Sequence, residues 1–288
     1  MKKNILGKTH LSVSPVVFGG IINMDETQQD ADRYTAFAVE RGINYFDVAP
    51  SYGNAEERLG RALLPYRKDV YLACKTTERL KEGAERELHE SLKALNTDHF
   101  DIYQLHSMTN WDDVEKAFSK DGAMEVLLRA KRDGIIRNIG FSAHSEDVAL
   151  KCLDLYPFDT VLFPMNWSMG INAGWGDRIA ERAKTDGFGL LAMKTLILRL
   201  WDEGEERIFP KSWCKPVDDE ALGIAAMKYG LHKGAHTLVP PGNFHHFSFM
   251  LDHIDTCQNA PLTDAEWKLL RDTAKTVDDR MIFPLKVS

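Results

Sequence analysis

The 288-residue chain holds only four cysteines, Cys74, Cys152, Cys214 and Cys257, far apart and with no C-x-x-C pair. That spacing excludes a zinc ribbon or an iron–sulfur cluster and reads as reduced thiols in an intracellular protein. No uninterrupted apolar run reaches the roughly 18 residues that would signal a membrane span. The charged start, MKKNILGKTHLSVSP, has no apolar stretch behind it and is no secretory signal. The expectation is a cytoplasmic protein with no membrane partner. Basic residues are in deficit, 36 Lys and Arg against 43 Asp and Glu, and the resulting charge of −7 is spread along the chain. That balance disfavours nucleic acid as a partner. Neither H-x-H nor H-E-x-x-H occurs, and the adjacent His245 and His246 should diverge on a helix or strand, so no metal site is expected. Internal repeats and low-complexity tracts are also missing.

What is present is an alternation. Short, mostly apolar runs fall at Ser14–Phe18, Asn44–Asp47, Val70–Cys74, Phe100–Gln104, Ile136–Phe141, Thr160–Phe163, Gly189–Ala192 and Thr237–Val239. Runs of this length and polarity suit parallel strands covered on both faces. Between them lie amphipathic stretches, Asp30–Arg41, Glu85–Leu95, Ala123–Lys131, Glu146–Leu155, Asp177–Thr185 and Asp219–Leu231. Eight strand–helix units without a composition break predict one (β/α)8 TIM barrel spanning residues 1–288. A doubly wound sheet is the alternative, but its G-x-G-x-x-G fingerprint is missing: the first strand ends in a bare Gly19-Gly20. Asn4–Val13 is expected to form a hairpin closing the barrel floor, and Thr263–Thr276 a terminal helix. Lys194–Val217 shows no strand character and exceeds ordinary loop length, which predicts a lid or a partly ordered insertion.

Barrel active sites lie at the C-terminal ends of the strands. There the second strand ends at Asp47 and its loop delivers Tyr52; the third ends at Lys75 and the fourth at His106. Neighbouring strands are about 4.8 Å apart, so the four side chains can converge. An Asp47–Lys75 ion pair beside Tyr52 should lower the phenol pKa and ease its proton toward a developing alkoxide, with His106 orienting the carbonyl. Taken singly, each has a bland reading as a cap, a packed ring, a solvated lysine or a structural histidine. The shared rim and complementary chemistry favour the catalytic one.

The stretch GINYFDVAPSYGNAEERLGRAL (residues 42–63), followed by YLACKT and DIYQLH in order, resembles the signature segments of the aldo-keto reductases. LGKTHLSVSPVVFGG is similar to that family's N-terminal hairpin and first strand. RNIGFS, FPMN and GLLAMKTL are later echoes. GLLAMKTL resembles the bacterial branch whose members often carry a C-terminal ferredoxin-like cysteine cluster, of which this chain would be a cluster-free member. The resemblance implies a (β/α)8 barrel reducing an aldehyde or ketone, sugar-derived or aromatic, with NADP(H) or NAD(H) and no metal. Tyr52 would be the general acid, Lys75 and Asp47 its tuners, and His106 the carbonyl-orienting group.

The same resemblance implies cofactor contacts from Ser142 and Gly242; Leu162 stands at the family's glutamine, with the Asn166 amide nearby, and Lys194 or Lys233 is the candidate for a substitute positive charge. At the family's 2′-phosphate-binding arginine this chain carries Phe244, and near its adenine-binding asparagine Asp252. Losing the guanidinium removes a bidentate phosphate donor, which opens NADH as a cofactor. Trp111, Trp167, Trp175, Trp201 and Trp213 fall in rim segments; with His144, the tryptophans Trp111, Trp167 and Trp201 are the expected substrate wall, as an aromatic box suited to apolar faces. Two rivals stay open: a non-catalytic barrel that senses nucleotide or binds a partner, and a metal-dependent hydrolase or isomerase. The oligomeric state and the substrate are not legible.

Overall fold

The computed structural model describes residues 1–277 and 282–285. It opens with an antiparallel hairpin, β1 (Asn4–Ile5) and β2 (Ser12–Val13), in which Asn4 pairs with Val13. Parallel strands then follow in chain order: β3 (Phe18–Gly19), β4 (Tyr45–Asp47), β5 (Tyr71–Thr76), β6 (Phe100–Met108), β7 (Ile136–Ala143), β8 (Thr160–Pro164) and β9 (Gly189–Met193). A rim hairpin, β10 (Ile197–Leu200) and β11 (Cys214–Pro216), precedes the last of them, β12 (Thr237–Leu238). Val16 bridges Leu238 in parallel, and Val17 N–H donates to the Leu238 carbonyl at 3.0 Å. These bonds close the sheet into a (β/α)8 barrel.

The covering helices are α1 (Gln28–Glu40), α2 (Ala55–Leu63), α3 (Lys81–Ala94), α4 (Trp111–Ala117), α5 (Ala123–Arg132), α6 (Glu146–Leu155), α7 (Trp167–Ala173), α8 (Asp177–Asp186), α9 (Glu220–His232) and α10 (Phe244–Asn259), with α11 (Asp264–Thr276) added at the end. Several start where the sequence offers a capping side chain. Thr27, Ser145, Asp219 and Asn243 each accept the backbone N–H three residues on, a bond that stabilises a helix start by about 1 kcal/mol. Among the described residues no helix is long and apolar enough to cross a membrane.

Alternation along the strands divides the core in two. Val17, Tyr45, Ala73, Ile102, Leu162 and Leu191 fill the barrel interior together with Leu6 and Val13 of the hairpin. Phe46, Leu72, Phe100 and Phe141 point outward under the helices. Gly7, at φ +50°, lets the hairpin plug the floor, because a Cβ there would run into the backbone of Phe188 and Gly189.

The floor hairpin and seven of the eight predicted strands form where expected, and β6 runs on to Met108; the first strand is shifted to Phe18–Gly19, at the end of the predicted Ser14–Phe18 run, with Val16 only an isolated bridge. Two further readings are corrected. The 194–217 segment is not strandless: Ile197 pairs with Pro216 and Leu200 with Cys214. Four helices went unread. Gly60 weakens the helical sequence pattern of α2, where it permits close approach to the Ala94 carbonyl; α4 and α7 have seven residues each; and α10 begins with aromatic and histidine residues rather than a charged face.

Candidate active site

Three neighbouring strands build one cluster of polar groups at the C-terminal rim. Lys75, on β5, is fully buried, and its ammonium donates to Asp47 Oδ1 on β4 and to the Val48 carbonyl at 3.0 Å. The other Asp47 oxygen accepts from Gln104 Nε2 on β6 at 2.8 Å. A buried charge needs this full set of partners. Desolvation works against the Lys75 cation, but Asp47 and Tyr52 outweigh it and hold its pKa above the ordinary value.

Tyr52 sits above this network, with Lys75 Nζ 5.2 Å from its ring centroid. Its phenol pKa is raised, chiefly by burial, with Lys75 pulling down and Asp47 pushing up. The expected lowering is therefore overturned as a net direction: desolvation of the phenolate outweighs the neighbouring cation. His106 meets Tyr52 edge-on, ring centroids 5.7 Å apart. Burial, with Lys75 and His144 adding to it, drives the His106 pKa down to about 2. Its ring is neutral at any physiological pH. Arg79 fixes the end of β6 that carries it, donating to the carbonyls of His106 at 2.6 Å and Ser107 at 3.1 Å. Ser107 adopts φ +54°, a conformation non-glycine residues keep only where surroundings enforce it.

The cleft beside these groups is partly enclosed and opens to solvent. Asp47, Tyr52 and His106 line it, as do Ser142, His144, Lys194 and Gly242. Ser142 Oγ accepts the Ser107 N–H at 2.7 Å, and His144 Nδ1 lies 3.1 Å from Ser107 Oγ. The His144 ring stacks on Phe283 at 4.8 Å, and burial lowers its pKa to about 4. Lys194 at φ +65° has no carboxylate partner among the described residues. It lies 5.5 Å from the centroid of the Trp213 ring, and burial lowers its pKa.

The remaining expected contacts lie elsewhere. Asn166 spends its amide internally, capping α7 through Oδ1 and donating from Nδ2 to the carbonyls of Lys194 and Ile197. Phe244 stacks on Tyr34 at 4.2 Å, and Asp252 pairs with Arg41 at 2.7 Å on the barrel exterior. Trp167 is fully buried in the core and Trp111 sits exposed at the start of α4. Trp201 donates Nε1 to the Ser212 carbonyl, under the Lys215 ammonium. None of these six side chains lines the cleft. The aromatic box reduces to one exposed indole, Trp213, on the strand-free stretch of the rim hairpin. Gln104 and Arg79 were missed because each acts across a strand or loop boundary that spacing does not reveal. Trp213 carried a signal, its place in the long rim segment.

The sequence profile of the Aldo/keto reductase family matches residues 15–219. An uncharacterized oxidoreductase of Bacillus subtilis is 32% identical over 157 residues, covering 50% of this chain and 49% of that protein. L-galactose dehydrogenase of Arabidopsis thaliana is 29% identical over 214 residues, 69% of this chain and 66% of the plant protein. This chain therefore spans about half to two thirds of the length of these relatives. Among solved structures, the holo form of an aldo-keto reductase from Bacillus halodurans shares the fold with a TM-score of 0.72 at 22% identity, covering 100% of this chain and 98% of that one. With its barrel, its rim cluster and a family profile over most of its length, the chain belongs to the aldo/keto reductase family.

Proposed function

We propose that the protein reduces a small aldehyde or ketone to the alcohol, using NADH or NADPH. The observation that carries this reading is the buried Asp47–Lys75–Gln104 network placed under Tyr52 and beside a neutral His106 at the mouth of the cleft. The donor set of the cleft fits a flat, amide-bearing anionic cofactor: Lys194, without a carboxylate partner among the described residues, the Trp213 face, the Ser142 hydroxyl and the flush Gly242. When bound, the reduced nicotinamide supplies the hydride.

The chain's own groups handle the proton. Burial keeps the Tyr52 phenol protonated at rest. As negative charge builds on the substrate oxygen, the Tyr52 O–H is the nearest acid, and the fixed Lys75 ammonium favours the phenolate left behind. Asp47 and Gln104 hold that ammonium in place. The neutral His106 ring donates an N–H to the same oxygen, and its depressed pKa stops it from competing for the proton. Neither Phe244 nor Asp252 reaches toward the cleft, so no guanidinium at position 244 rewards a 2′-phosphate and NADH is admitted.

Tyr52→Phe tests the reading. Loss of turnover by 100-fold or more, with NAD(P)H binding retained, is the expected result, whereas full activity in the variant overturns it. Binding of NAD(P)H without oxidation by any carbonyl would return the protein to the nucleotide-sensing alternative. Comparing dissociation constants for NADH and NADPH tests the cofactor: a large NADPH preference contradicts the remodelled adenosine end.

A further inference from the structure

His245 and His246 do not diverge as their adjacency led us to expect. Their ring centroids lie 5.0 Å apart, and both rings pack on Phe209 of the rim segment, one stacked at 5.8 Å and the other edge-on at 4.7 Å. Asp218, just past β11, brings Oδ1 to 3.9 Å from His245 Nε2. One ligand atom from each of Asp218, His245 and His246 falls within 4.8 Å of the other two.

The hydrogen bonding of His246 leaves one ring nitrogen facing an acceptor. Asn243 Oδ1 accepts the His246 backbone N–H at 2.9 Å as the cap of α10, which fixes the orientation of that amide. The same oxygen lies 2.8 Å from His246 Nδ1 and so takes the ring proton there. A neutral buried imidazole has one N–H. Nε2 therefore presents a lone pair, and it faces another lone pair, the Val217 carbonyl, at 3.1 Å. Two acceptors about 3 Å apart are the separation that bonds of about 2.1 Å subtend at a right angle around a metal ion. A ring nitrogen pinned to an amide oxygen while its opposite nitrogen is free is also the usual outer arrangement of a ligating histidine.

We propose that His246 Nε2, the Val217 carbonyl, His245 Nε2 and Asp218 Oδ1 form a site for a divalent transition ion of zinc type, clipping the end of the rim hairpin to the start of α10. The N₂O₂ donor set suits borderline ions better than magnesium or calcium. A helix N-terminus disfavours a cation, and the Asp218 carboxylate supplies the compensating charge. Asp218 and His245 are each 65% exposed, so both can close the remaining distance by side-chain rotation. The clip would act on the rim, since Lys211, Ser212 and Trp213, on the strand-free stretch between β10 and β11, line the active cleft.

The test is zinc competition against a chromophoric chelator on the full chain, with Co²⁺ substitution read by visible absorption. One equivalent bound, a d–d band of a low-coordinate site, and at least tenfold weaker binding in both His245→Ala and Asp218→Asn are expected. These two exposed positions leave the fold intact, which the buried His246 would not guarantee. Absence of uptake, or uptake unchanged in both variants, overturns the site. Zinc should also slow limited proteolysis between residues 201 and 213; binding without that protection overturns the clip.

Discussion

Replacing the buried charges tests whether they serve the chemistry or the fold. Lys75→Met removes the ammonium and leaves the Asp47 carboxylate, 3% exposed, with Gln104 Nε2 as its side-chain donor. Breaking one half of a buried ion pair costs about 3–5 kcal/mol, and a domain of this size loses roughly 2 °C or more in Tm per kcal/mol. Lys75→Met should therefore melt about 6–15 °C below the parent. Asp47→Asn alone strands the ammonium and should fall by a similar amount. The double variant leaves no buried charge and keeps an amide oxygen for Gln104, so its stability should return to within about 1–2 kcal/mol of the parent. Urea denaturation of the four proteins gives the coupling energy directly. A double variant as unstable as the sum of the singles would refute the argument that desolvation offsets the pair's attraction. Turnover should be lost in all three variants, because none holds a cation under Tyr52. Imidazole NMR adds an independent check: with Lys75 gone, the His106 pKa should rise, since that cation helps to depress it.

Acid should unfold the protein early. His106 and His144 bind protons near pH 2 and pH 4 in the fold but near 6.5 when unfolded. Their depressed values give stability that is present above pH 6.5 and drains as the pH falls below it, by about 2–4 kcal/mol together between pH 7 and 5; a flat urea-stability profile over that range, or one unchanged in His144→Gln, contradicts this. A methyl at Gly170 would collide with the Tyr229 hydroxyl, so Gly170→Ala should cost about 1–3 kcal/mol; Tyr229→Phe should recover part of it, and thermal melts showing no loss would refute the clash. Lys194→Met should weaken NAD(P)H binding by about tenfold or more, as loss of a charged hydrogen bond does. Fluorescence titration measures that, and an unchanged dissociation constant removes Lys194 from the cofactor site.

The parts that were readable in advance have local causes. β5 and β8 are buried runs of five or six residues, and a parallel strand covered on both faces has that pattern whatever surrounds it. Asp47, Tyr52, Lys75 and His106 were legible because barrel geometry carries strand ends to one rim. The net pKa shift of Tyr52 was not, since burial is a property of the assembled cleft rather than of the residues beside it. Asn166 illustrates the converse: an amide in a plausible place whose donors and acceptor are consumed by a helix cap and two carbonyls. The tryptophans failed as a group because position on a rim segment does not decide which way a ring turns. Trp167 and Trp175 turned inward and became core.

The closure of the barrel also sets the order in which the chain can fold. β3 is held on one side by β4, some thirty residues away, and on the other by the bonds of the Pro15–Val17 stretch to Leu238. The floor hairpin waits as well: Lys8 N–H bonds to the Gly187 carbonyl, and Asn4 Nδ2 to that of His236. On a ribosome these segments emerge well before their partners and are thus among the last to be satisfied. Until residue 238 has emerged, the nascent sheet carries an open edge at each end, and such edges pair with strangers. Short terminal strands of two residues, β3 and β12, keep that exposure small. The seam of the barrel is therefore its slowest contact to form and the natural place for it to open.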